Sequence, residues 1–214
     1  MSVIRQPGIL GRTARRRVVG VTAALSAATV EAVAVGVWFS LVAGSRTTST
    51  ALAGLGILFC GALVRAIVFG ATVNEVGDLL KPERLSAALL LTGSWLVWLL
   101  VAELIGGVGG IVVAGVVLAG ALTAQLFVER RVFCLRSTYL TTRTPLVPGC
   151  LLAAGASALL AAVWFVDVTL ATPPIPLEAT TVVLRVDALH VGLVLFGLFA
   201  FLAHQRRFER LLEP

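Results

Sequence analysis

Charge is what this chain has least of. Only 13% of its 214 residues are Asp, Glu, Lys or Arg, while 58% are hydrophobic. A water-soluble domain carries about 25% charged and about 45–50% apolar residues. So few charges do not cover a water-facing surface, which excludes an ordinary soluble domain. The mean hydropathy of +1.01 points instead to lipid as the solvent. Cysteine is sparse as well. Cys60, Cys134 and Cys150 fall within apolar runs or beside basic loops, which provides no disulfide framework. There are only two histidines, His190 and His204, and no H-E-x-x-H, paired-Cys spacing or Gly-rich phosphate loop. No cofactor and no metal is therefore expected. The basic residues outnumber the acidic ones to give a net charge of +6, but they sit in short clusters between apolar runs. That is the distribution of membrane loops and not of a nucleic-acid face, so no nucleic-acid partner is expected.

What the chain does have is six long apolar windows, at about 18–43, 51–72, 85–105, 108–128, 146–167 and 183–204. A helix needs about 20 apolar residues to span the hydrocarbon core. Uninterrupted apolar runs also lack the alternation of a membrane barrel. The expected fold class is all-α: a polytopic membrane protein built as a bundle of six transmembrane helices. A basic N-terminal segment, 1–17, precedes a transmembrane domain, 18–204, and a C-terminal tail, 205–214, follows it. The first apolar run is too long for a signal-peptide core and includes Glu31, so it is read as a spanning helix. Pro82 and Pro145 mark helix starts, where a missing N–H costs nothing. Gly106-Gly107-Val108-Gly109-Gly110 forms a tight link, and the loop at about 168–182, with Pro173, Pro174 and Pro176, is expected to run extended over the outer surface.

Fourteen of the seventeen basic residues fall on one side of the expected bundle. Arg5, Arg12, Arg15, Arg16 and Arg17 precede the first helix, and Lys81 and Arg84 lie in the second loop. Arg130, Arg131, Arg136 and Arg143 belong to the fourth loop, and Arg206, Arg207 and Arg210 follow the last helix. The positive-inside rule makes that side cytoplasmic, with both termini there and the chain in the cell membrane.

Two patterns concern packing. Val37-Trp38-Phe39, Val97-Trp98-Leu99 and Val163-Trp164-Phe165 recur on helices one, three and five, and Gly61-Ala62-Leu63, Gly120-Ala121-Leu122 and Gly197-Leu198-Phe199 on helices two, four and six. These matches allow three repeated helical hairpins. The plainer reading is an aromatic belt holding Trp38, Trp95, Trp98 and Trp164 in the outer half of their helices. Small residues also recur every four positions, as Ala24, Ala28, Ala32 and Gly36 and as Gly149, Ala153, Ser157 and Ala161. Such ridges let helices approach closely, at the bundle centre or against a homo-oligomeric or partner membrane protein.

An ionisable side chain inside a membrane helix is costly and raises a functional hypothesis. Glu31 lies near the expected midplane and Arg65 about two turns from the inner end of helix two. As a pair they are read as a gate or coupling site, or as a structural ion pair; alternatively, Arg65 snorkels to the interface alone. Gln125 and His204 read as interfacial. A second group, Glu103, Asp167, Asp187 and His190, with Glu178 above it, is expected to form an outer acidic rim. Carboxylates with an imidazole also suit a divalent metal, but helix ends are where charges ordinarily meet water. The leading functional expectation is a small protein that moves an ion or solute, with Glu31 and Arg65 as its polar core. The alternative is a non-transporting scaffold or accessory subunit, and the third is a membrane-embedded enzyme.

Overall fold

The computed structural model describes residues 9–45, 47–72, 82–132, 146–167, 169–173, 175–177, 180–183 and 185–212. Six helices account for nearly all of them: α1 (Ile9–Gly44), α2 (Thr48–Thr72), α3 (Pro82–Ile105), α4 (Gly107–Val132), α5 (Leu146–Phe165) and α6 (Ala188–Leu212). Each contains a segment long and apolar enough to cross a bilayer. The chain is a six-helix, multi-pass membrane protein.

Helices α1, α4 and α6 run past the apolar windows into basic sequence, because Arg is a good helix former and water satisfies the last backbone groups. Helix α6 starts later than its window. Arg185–Asp187 is instead strand β4, paired antiparallel with β1 (Thr169–Ala171). Strand β2 (Ile175–Leu177) pairs with β3 (Thr180–Val182). The extended outer loop is thus a two-part β-ribbon between α5 and α6. Pro176 is tolerated because a two-stranded ribbon has free edges. Pro174 and Glu178 lie outside the described residues, as does Pro145.

Local chemistry sets two of the turns. Thr47 caps α2: its hydroxyl accepts from Thr50 N–H at 3.2 Å, while Thr50 Oγ1 accepts from Thr47 N–H at 3.1 Å. Between α3 and α4 the backbone reverses through Gly106 (φ 72°) and Gly107 (φ 57°), a left-handed conformation that side chains disfavour. Gly106 N–H closes α3 on Ala102 C=O at 2.8 Å.

Each helix packs on its sequence neighbours, and α6 packs back on α1, so the bundle is a closed ring in chain order. The α1–α6 and α4–α5 contacts match those within the three hairpins, so the hairpins are not separate packing units and the fold adds no support to the repeat. Both small-residue ridges pack inside the chain. A methyl group at Gly36 would lie 2.8 Å from Leu193 of α6, and one at Gly149 would lie 2.5 Å from Thr123 of α4.

The tryptophans depart most from expectation. Trp38, Trp95 and Trp98 do not form a belt; they are fully buried. Trp95 meets Trp98 edge-on at 5.6 Å and Phe196 at 5.5 Å, while Phe39 lies 6.5 Å from Trp98. Six helices enclose more space than Ala and Gly can fill, and large rings fill the outer half.

Candidate functional site: a buried charge ladder

The inner half of the bundle is filled differently. Glu31 on α1 and Arg65 on α2 are each only 4% exposed, and Arg65 Nη1 donates to the two Glu31 oxygens at 3.4 and 3.5 Å. The guanidinium carries five donors, more than Glu31 alone satisfies. Its Nη2 donates to Glu129 Oε1 on α4 at 2.6 Å, the tighter contact. Glu129 Oε2 accepts from Arg207 Nη2 on α6 at 2.7 Å. Glu129 Oε1 also accepts from Gln125 Nε2, one turn earlier on the same face, at 3.0 Å. His204, one turn before Arg207, places Nε2 2.7 Å from Glu31 Oε2.

The result is a ladder, His204–Glu31–Arg65–Glu129–Arg207, that joins α1, α2, α4 and α6. Gln125 extends it to α3 by reaching the Ala87 carbonyl at 3.5 Å. Arg207 also covers the Phe69 ring, with its guanidinium carbon 3.9 Å from the ring centre, and Phe69 packs on Phe208. Depth follows from helical rise. Glu31 is 14 residues past Arg17, where the α1 span starts, which puts it about 21 Å in. Glu129 ends the α4 span and Arg207 lies two residues before the end of the α6 span. The ladder therefore climbs from the basic rim to about mid-depth.

Two cavities of about 10 Å³ flank Arg65. One is bordered by Arg65, Arg84, Gln125 and Glu129, and the other by Glu31, Arg65 and Trp95. Each has room for about one water. Gln125 Oε1 is buried without a hydrogen-bond partner and belongs to the first. Two guanidinium and two carboxylate charges cancel, so attraction at short range offsets desolvation that would otherwise exclude them.

The snorkelling expectation for Arg65 is overturned by its burial and its two carboxylate partners. Gln125 and His204 are not interfacial: they are 3% and 2% exposed and lie within the ladder. Glu129 and Arg207 escaped sequence reading, because both sit in basic inner-rim sequence where charge is routine. The unsatisfied donors of a single buried Arg were the available signal.

The outer group does not assemble in the same way. Asp187 N–H donates to His190 Nδ1 at 3.2 Å, which caps the start of α6. Glu103 borders a cleft at the α3–α4 turn with Trp164 and Phe165, and Asp167 is exposed just past α5. Among the described residues, no three His, Cys, Asp or Glu side chains are placed to hold a metal. Comparison with protein families, curated proteins and solved structures gave no match.

Proposed function

We propose that this chain is a non-transporting membrane protein, a scaffold or accessory subunit whose interior is built to stay closed. The carrying observation is that the polar core is paired and dry: Arg65 is held between Glu31 and Glu129, with no adjoining cavity larger than about 10 Å³. Above it, the tryptophans close the outer half. The largest recess opens sideways between α1 and α6, and its lining includes no ladder residue. In this reading the ladder fixes the register of four helices.

A second reading, movement of an ion or small solute, is favoured by one observation. Glu31 and His204 form a buried acid–imidazole contact joined through Arg65 and Glu129 to the inner rim, a group type found in proton relays. Ion and proton flux into proteoliposomes separates the two. The scaffold reading expects no flux above empty vesicles from the wild type, with or without a membrane potential. Flux that Glu31→Gln abolishes while the protein stays folded would overturn it in favour of transport.

The chain is placed in the cell membrane with both termini on the cytoplasmic side. The fourteen basic residues gathered at one end of the bundle support this orientation.

A further inference from the structure

Two features of the α1–α6 seam belong together. The first is an apolar groove of about 700 Å³, floored by Ala32 and Gly36 of α1 and Gly197 of α6 and walled by Leu25, Leu193 and Phe201. Along α1 it runs from Leu25 to Ser40, about 22 Å at the helical rise. Its mean cross-section is therefore about 30 Å², whereas a helix about 10 Å across needs roughly 80 Å². A slender hydrocarbon chain matches the groove, and another transmembrane helix does not.

The second feature is the charge at its inner end. Arg17 and Arg206 are both exposed and lie on the two helices that wall the groove. Arg17 is eight residues before Leu25 and Arg206 five after Phe201, about 12 and 8 Å along the axes. Sequence alone separates these arginines by nearly the whole chain. Packing brings the ends of the two helices together, with Phe208 of α6 set against Ala23, Ala24 and Ala27 of α1. The acid nearby on α6, Glu209, accepts a hydrogen bond from Gln205 at 3.0 Å. At the outer end the groove reaches His190 and has no arginine in its lining.

We propose that this seam binds an anionic phospholipid from the basic-side leaflet, with an acyl chain in the groove and the phosphate between Arg17 and Arg206. The opposite charge at one end selects the headgroup, and the apolar channel takes the tail. The site does not depend on whether the chain transports anything.

Lipid retention by the purified full-length protein, measured by native mass spectrometry after exchange into phosphatidylglycerol or phosphatidylcholine micelles, tests this. The wild type should retain phosphatidylglycerol preferentially. Arg17→Gln with Arg206→Gln should lower that preference by about 25-fold at low salt, roughly fivefold per arginine. Val33→Trp fills the groove from an exposed wall position and should reduce retention of both lipids, leaving helix content and elution volume unchanged. Equal retention of the two lipids by the wild type, or a preference that survives the double arginine substitution, would overturn the proposal. Undiminished retention in Val33→Trp would also overturn it, because the lipid would then be held by its headgroup alone.

Discussion

Glu129→Gln is the substitution that most directly probes the ladder. Glu129 is the shared partner of two cations, receiving Arg65 Nη2 at 2.6 Å and Arg207 Nη2 at 2.7 Å. Neutralising it leaves two guanidinium groups facing a single remaining carboxylate, Glu31, which already contacts His204. Removing one member of a buried ion pair costs about 3–5 kcal/mol, since the other charge stays buried and uncompensated. The side chains of Glu129 and Arg207 are about nine-tenths buried, so little screening lowers that figure. Glu31→Gln should cost less, about 1.5–3 kcal/mol. Its contacts to Arg65 are long, at 3.4 and 3.5 Å, and Arg65 keeps Glu129. The prediction is thus an order, Glu129→Gln above Glu31→Gln. Unfolding by SDS in mixed micelles measures it, followed by fluorescence of the buried Trp38, Trp95 and Trp98. A Glu129→Gln cost below about 1 kcal/mol, or below that of Glu31→Gln, would refute the ladder as an electrostatic unit. A double-mutant cycle with Arg207→Gln should give a coupling energy above about 1 kcal/mol.

The same assay reads two further expectations. Gly106→Ala should destabilise by about 1–2 kcal/mol, because φ of 72° forces a Cβ into the left-handed region; an effect within error would show that the turn relaxes freely. Trp95→Ala should cost about 3–5 kcal/mol by opening a cavity among Trp98 and Phe196. Leu104→Ala, at a position 76% exposed, should cost under about 1 kcal/mol, and similar costs for the two would contradict the tryptophan-filled core.

Much of the architecture was legible in the sequence because lipid leaves few choices. Backbone groups in hydrocarbon must be satisfied within the segment, so six apolar runs become six helices whatever their neighbours. Gly106-Gly107 and Pro82 likewise act locally, through φ and a missing N–H, and they set the α3–α4 turn and the start of α3. Glu31 and Arg65 stood out because charge inside a helix is rare. The small-residue ridges were visible too, but the sequence did not say whether they face another chain; in the fold they meet α6 and α4.

What remained hidden depends on distances between helices, which no spacing along one helix encodes. Trp38, Trp95 and Trp98 occur at belt depth, yet rotation of each helix about its axis turns them into the core. Gln125, Glu129, His204 and Arg207 look like ordinary rim residues until α2, α4 and α6 converge. A lone Arg65 then needs more than one carboxylate, and Glu129, 64 residues away, becomes its closest partner. Helix number and probable depth were therefore set by each segment's own chemistry with lipid. Which charges meet, and which surfaces stay open to lipid, was decided only by the closing of α6 onto α1, because pairing energies act over a few ångströms and depend on packing.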